Sequence, residues 1–444
     1  MIQKVCIIGA GSSGIAACKV LKDHGIAYDC YEKGSGIGGN WQYNNDNGDS
    51  SAYRSLHINT SKTMMAYSDF PMPAGYPQYP HHTQIMAYFE EYVNHFGFRE
   101  NIHFNTAITD VGKEKDGTYC VRTDKGETKY YTAVIVANGH HWNPRYPEPP
   151  FAGDFEGLVM HAHNYKTPNI LENKNVLVVG IGNSALDITC EAARLNTGKV
   201  FISTRRGAYI FPKYIMGVPF DMLGKANLPY LPMWAKRLFL QVNLWVARGS
   251  QTSYGMPLPK HALLAEHPSI SQDFLNLVGH GKIGIKPNIS ALAGKEVLFE
   301  DGSKEAIDAI IYATGYKITF PFFKPDFIDS PKIEATNDFP LYKRVVDIAH
   351  KNLFFLGLCQ PLGAIMPLAE VQAQWIARLL NNEVALPSDT YMAHHIEKET
   401  QRNEKRYNHS KRHTIQVDFL GYKKDILKEM QQMKTGKTTA KFVV

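Results

Sequence analysis

Two glycine loops in one chain carry the residue types that hold dinucleotides. The first, Gly9-Ala10-Gly11-Ser12-Ser13-Gly14, follows an apolar run at 5–8 and opens a helical pattern at 15–21. A second strand is expected at 28–31 and ends in Glu32, eighteen positions after Gly14. In this order Gly9 allows a tight turn, Gly11 lets a pyrophosphate approach the backbone, and Gly14 lets helix and strand pack closely. The helix start offers unpaired N–H groups and the positive end of a dipole to phosphate. Glu32 can accept from a ribose 2′-hydroxyl and repels a 2′-phosphate, so this loop suits FAD or NAD over NADP. The second loop, Gly180-Ile181-Gly182-Asn183-Ser184-Ala185, has alanine in the third place, and its following strand ends in Ser203, Thr204, Arg205 and Arg206. Hydroxyls and paired guanidiniums suit a 2′-phosphate, and Asn183 and Ser184 lie where the phosphates meet the helix. The contrast assigns FAD to the first loop and NADPH to the second, with hydride passing from nicotinamide to flavin.

These residues need two strand–loop–helix–strand units to position them. The expected fold is α/β with two Rossmann-like dinucleotide-binding domains. A discontinuous FAD domain covers 1–167 and 319–444, and the inserted NADPH domain covers 168–318. The stretch 209–281, rich in Pro, Met, Trp and Leu, reads as a helical insertion. A further glycine turn at 34–41 brings Gly39, Asn40 and Trp41 near the first loop. Between the two units lies FEGLVMHAHNY at 155–165. Its His161, His163 and Tyr165 invite a metal or general-base reading, but no partners stand at ligand spacing, so no metal is expected. The stretch reads as a hinge, with Phe155 and Gly157 giving packing and close approach and His161 an orienting hydrogen bond.

Composition narrows the class. Of 444 residues, 44% are hydrophobic and 20% charged, as in a globular enzyme with a sizeable core. The net charge of +6 resides in the tail: 397–444 holds twelve Lys/Arg against six Asp/Glu. Those bases are diluted by acids and carry no nucleic-acid motif, so nucleic-acid binding is not expected. The six cysteines, Cys6, Cys18, Cys30, Cys120, Cys190 and Cys359, are scattered without a CxxC pair. That argues against a disulfide reductase and for a reduced, cytoplasmic setting. No run reaches the roughly 18 apolar residues of a membrane span. The greasy stretch 231–249 is interrupted by Lys236, Arg237 and Arg248 and reads as a core or interface helix rather than a membrane anchor, with surface association as the alternative.

Phe155-x-Gly157-xxx-His161-xxx-Tyr165 resembles the signature of the flavin-containing monooxygenases, where the related Baeyer–Villiger enzymes usually carry tryptophan at the position of Tyr165. Residues 55–71, with Asn59, Lys62 and Asp69-Phe70-Pro71, resemble the family's NxSKxMM…DFP stretch. Residues 311–316 resemble its ATGY segment, and 356–375 its C-terminal flavin motif. The resemblance covers residues 1 to about 385. The tail lacks the hydrophobic anchor of animal microsomal members, which favours a soluble, bacterial-type enzyme.

The resemblance implies that NADPH reduces FAD, that O2 adds at flavin C4a, and that the resulting hydroperoxide oxygenates a soft nucleophile, an amine nitrogen or a sulfide sulfur. Asn59 matches the asparagine at the reactive edge of the flavin, a neutral donor with no titration of its own. FAD contacts are further expected at Ser12, Ser13, Lys33, Thr60, Gln360 and Gln372, and NADPH contacts at Gly180, Gly182 and Ala185. The family also implies a homodimer, although no interface is legible. Alternatives are a Baeyer–Villiger or other carbon-oxidising enzyme, and a flavin-binding redox sensor or NADPH oxidase.

Overall fold

A computed structural model describes residues 4–195, 198–223, 231–266, 268–406 and 414–431. Much of the basic tail therefore lies outside the described residues. The chain forms two compact units: one takes residues 1–52, 56–143 and 317–444, the other residues 53–55 and 144–316. The return at 317 falls close to the expected 319. The first crossing does not: it comes at 143/144 rather than 167/168, and a three-residue strap, Tyr53–Ser55, also belongs to the second unit.

The first unit is built on a five-stranded parallel sheet. Its spatial order is Leu353–Phe355, Ala133–Val136, Lys4–Ile8, Ala27–Tyr31 and Ile102–His103. The central strand is apolar because both its faces are covered: Val5, Cys6 and Ile7 are fully buried. The chain runs outward from Lys4–Ile8 to one side, then returns on the other with Ala133–Val136. The strand order thus reverses at the carboxyl end of Lys4–Ile8, where open α/β sheets bind ligands and where Gly9 begins. Helix Ser12–Asp23 buries Ile15, Ala16 and Leu21 and packs on helix Met366–Leu380.

The second unit repeats the plan. Its parallel sheet runs Leu158–His161, Ala309–Tyr312, Val176–Val179, Val200–Ser203 and Gly284–Lys286. Here the order reverses beside Val176–Val179, above which the second glycine loop opens helix Asn183–Arg194. The stretch 155–165 is therefore no hinge between units. Strand Ala152–Phe155 pairs with Ile289–Gly294, and Leu158–His161 is the edge strand of the nucleotide sheet. The insertion 209–281 is not purely helical either. It holds helix Met233–Arg248, but also the hairpin Tyr214–Ile215/Val218–Pro219 and the paired strands Ile210–Phe211 and Ser269–Ile270.

Candidate functional site: two nucleotide cradles

In the first cradle each glycine has a measurable reason. Gly9 has φ +101°, and a Cβ there would lie 2.7 Å from the Ala137 carbonyl oxygen. A Cβ on Gly14 would lie 1.9 Å from the Gly9 carbonyl oxygen, so no other residue fits without moving backbone. A Cβ on Gly11 would meet nothing closer than 3.8 Å, which leaves the open approach a pyrophosphate needs. The helix start has no side-chain cap and no acid in its first turn, so its N–H groups remain for an anion. The turn at 34–41 closes over the loop: Gly38 N donates to Ala10 O at 3.0 Å, and a Cβ on Gly39 would lie 3.2 Å from Gly11 Cα.

Glu32 is buried, and its carboxylate does more than wait for a ribose. Oε2 accepts from Ala10 N at 2.9 Å and Oε1 from Gly34 N at 2.8 Å, stitching both glycine turns to the strand end. Burial raises its carboxyl above the ordinary range, while those two N–H groups pull the other way. Lys33 pairs with Asp49 and lies over the Trp142 ring. Asn40 Oδ1 accepts from the Ser51 amide and hydroxyl, at 2.8 and 2.7 Å, so that oxygen shapes the loop. Trp41 packs on the main core, and Thr60 is buried.

The remaining first-unit residues divide sharply. Asn59 Oδ1 is buried and has no hydrogen-bond partner among the described residues. A buried polar atom without a partner costs about 1–3 kcal/mol, so this one fits a bound ligand. Gln372 is the reverse. It is fully buried, accepts from Gly357 N at 2.9 Å and donates to the Tyr422 hydroxyl at 2.6 Å. Rather than contact flavin, it braces the loop beginning at Gly357, whose Cβ would lie 2.2 Å from Ser13 Oγ. Gln360 is half-buried on a short strand paired with Gln416–Val417. Two motif residues also prove structural. Glu370 accepts from Ser68 N and Oγ at 2.9 and 2.8 Å, and Lys62 Nζ donates to the carbonyls of Ala74 and Tyr76, at 2.8 and 2.5 Å. The Ser12 carbonyl accepts from Tyr67.

The second cradle has the same backbone and different chemistry. Gly180 has φ +130°, with a Cβ position 2.5 Å from the Ala313 carbonyl oxygen. Gly182 precedes an uncapped helix start, where Ser184 is exposed and Ala185 fully buried. Asn183 Oδ1 accepts from Ile270 N at 2.9 Å, and Ser269 donates to the Ile181 carbonyl, so the insertion clamps the loop. Ser203 is buried and donates to Pro287 O at 2.7 Å. Its hydroxyl is thus committed to the fold, a correction to the expectation that it meets phosphate. Arg205 and Arg206 are exposed, with Arg206 3.7 Å from Glu266.

The signature residues gather inside this unit. A Cβ on Gly157 would lie 2.4 Å from the Asp308 carbonyl oxygen, and Phe155 packs on the Leu177–Ile310 core. His161 is fully buried; its Nδ1 accepts from His163 N at 3.1 Å, and its ring meets Tyr146 and Tyr316 edge-on. Burial pulls its imidazole down to about 4, so it is neutral at pH 7. Tyr165 donates to Glu191, and beside it Ser55 also donates to Glu191 and Tyr53 to Asp187. Burial pushes the Asp187 carboxyl up to about 6. Asp187 and Glu191 stand one helical turn apart on the second glycine helix, so they share a face. That i,i+4 spacing was visible in the sequence; the hydroxyls that answer it were not. Among the described residues, no group of His, Cys, Asp and Glu could hold a metal ion.

The comparisons agree with this architecture. Residues 2–436 match the family model described as flavin-binding monooxygenase-like. Flavin-containing monooxygenase 5 of Rattus norvegicus is 36% identical over 444 residues, covering 96% of this chain and 82% of the relative. Dimethylaniline monooxygenase [N-oxide-forming] 2 of the same species is 33% identical, covering 97% and 83%. The fold is shared with S-allyl-L-cysteine S-oxygenase of Allium sativum, at a TM-score of 0.72 and 24% identity, covering 97% of this chain and 88% of that one. With both cradles formed and the match running nearly end to end, the chain belongs to the flavin-binding monooxygenase-like family, whose members work with FAD, NADPH and O2.

Proposed function

We propose that this protein is an NADPH- and O2-dependent monooxygenase that oxygenates soft nucleophiles, forming N-oxides from amines or S-oxides from sulfides. The first unit would hold FAD through Gly9, Gly11, Gly14, Ser13 and Glu32; the second would hold NADPH through Gly180, Gly182, Ser184, Arg205 and Arg206. FAD, when bound and reduced by NADPH, supplies the oxygen-activating chemistry. The observation that carries the reading is the unpartnered, buried amide oxygen of Asn59. Its partner amide N–H2 can orient an oxygen atom without gaining or losing a proton. Tyr165, in place of the tryptophan of Baeyer–Villiger relatives, supports heteroatom over ketone oxidation. So do the activities for which an N-oxide-forming relative and an S-oxygenase of the same fold are named. The six cysteines are all buried and free, which suits a reduced cytoplasmic compartment.

The test is product analysis with coupled stoichiometry. NADPH should bleach the flavin without air. With O2 and trimethylamine, thioanisole or cyclohexanone, the first two should gain one oxygen per NADPH. Lactone from the ketone with neither N- nor S-oxide would favour the Baeyer–Villiger alternative. Stoichiometric H2O2 with no oxygenated product would make the protein an NADPH oxidase.

A further inference from the structure

We infer that the C-terminal segment 414–431 is a clasp on the first nucleotide cradle, and that Tyr422 is a positioning residue for FAD retention. It acts through Gln372 on the amide of Gly357. The inference rests on the placement of FAD in the first cradle, and all its members lie in the first unit. The loop 357–363 is held along its whole length by residues far later in the chain. At its start Gly357 has φ +72°, and a Cβ there would lie 2.2 Å from Ser13 Oγ, so this loop and the glycine turn meet with no side chain between them. In its middle, Gln360 N donates to Ile415 O at 2.8 Å and Leu362 N to Val417 O at 3.0 Å. At its end Gly363 has φ +145°, and a Cβ there would lie 3.1 Å from Phe419 Cβ.

A buried side-chain relay adds to this backbone grip. Gly357 N donates to Gln372 Oε1 at 2.9 Å, Gln372 Nε2 to the Tyr422 hydroxyl at 2.6 Å, and that hydroxyl to Lys343 O at 2.6 Å. The middle member must accept and donate at once, which a hydroxyl does and phenylalanine cannot. The far end is fixed just as firmly. Lys343 and Arg344 are buried and both left-handed, with φ +51° and +57°, a conformation uncommon for such residues. It persists where the surroundings over-determine it. Here Lys343 Nζ lies 3.7 Å from Glu429 Oε1 and Arg344 Nε 3.4 Å from Glu399 Oε1, so helices Asp389–Arg406 and Phe419–Glu429 both set the turn. A buried relay whose members are all committed stiffens what it ends on. This one ends on the amide of the residue that abuts Ser13. Without it the loop backing the glycine turn slackens, and FAD leaves the turn faster.

The FAD-loaded protein should be diluted into FAD-free buffer and the released FAD followed over time by ultrafiltration. Tyr422→Phe is expected to release FAD about tenfold faster, the effect of one lost buried hydrogen bond. Gln372→Leu should do the same. The double variant should be no faster than the quicker single one, because both act on the Gly357 amide. With FAD in excess, KM for NADPH should be unchanged in all three. Additive effects in the double variant would overturn the relay. So would variants that melt at a lower temperature yet release FAD at the wild-type rate, since the network would then serve stability alone. Gly14→Ala, run beside them, separates the two readings. If it keeps its FAD, the placement of FAD in the first cradle fails. If it loses FAD while Tyr422→Phe releases at the wild-type rate, the clasp alone fails.

Discussion

The two glycine loops share a backbone and differ in what is done with charge. In the first, Glu32 is drawn inward, and both its oxygens accept from loop N–H groups. In the second, Arg205 and Arg206 are exposed, Arg206 3.7 Å from Glu266, and Ser203 is folded inward. The first loop thus fixes its shape with a buried charge; the second fixes its shape with neutral groups and keeps its arginines at the surface, Arg206 near Glu266. The third loop position differs in the same spirit: Gly14 has no room for a methyl, whereas Ala185 carries one fully buried. The first loop should therefore be brittle, with shape and selectivity failing together, and the second separable.

The largest effect should come from Gly14→Ala. Its new carbon would sit 1.9 Å from a backbone oxygen, so either the strand end or the helix start must shift. The variant is expected to purify without FAD and to lose NADPH oxidation altogether. Isolation with a full complement of FAD would show that the loop is less tightly built than the geometry says.

Next in size is Arg205→Ala/Arg206→Ala. Removing two charge-assisted hydrogen-bond donors from a 2′-phosphate should raise KM for NADPH roughly a hundredfold. KM for NADH and FAD occupancy should stay as they are. Equal losses for NADH and NADPH would remove the 2′-phosphate assignment.

Much of this contrast was legible in the sequence. Both central strands are continuous apolar runs ending at glycines, and the acid and the arginines follow at fixed offsets. Local order of that kind survives folding because it lies within one strand–loop–helix unit. The boundary was not legible. Placing 155–165 in the second unit depends on Ala152 pairing with Ala291, a contact between distant segments that no local pattern announces. Gln372 was expected at the flavin because it matches a family position near that ring, but Tyr422, fifty positions later, takes its amide. Asn59 was legible only through resemblance, and the fold adds the unpartnered oxygen.

The second unit also carries two buried titratable groups, and these give a smaller, pH-dependent effect. In the second unit Asp187, raised to about 6, and His161, lowered to about 4, act in opposite directions. Between pH 4 and 6 the folded state holds the Asp187 proton that the unfolded chain releases, so stability falls as pH rises. Over pH 4 to 6.5 the unfolded chain holds the His161 proton that the fold refuses, so stability rises with pH. The two slopes largely cancel. Asp187→Asn should remove the falling term, and its melting temperature should climb more steeply than the wild type's over this window. His161→Gln should tilt the curve the other way. Parallel curves for all three proteins would mean that neither group titrates as its burial implies.

The smallest effect is the converse of the first. Ala185→Gly gives the second loop the residue that the first requires. No backbone must move to accommodate it, because glycine is smaller and the loop is already held by Asn183 and Ser269. The cost is that of a glycine near a helix start plus one lost buried methyl, together about 1–2 kcal/mol. A melting temperature lower by a few degrees (roughly 2–4 °C per kcal/mol for a unit of this size) is expected, with KM for NADPH unchanged. If the variant instead bound NADPH as poorly as the arginine double variant, the methyl of Ala185 would be setting the path of the phosphates. Shape and selectivity would then be as inseparable in the second loop as in the first.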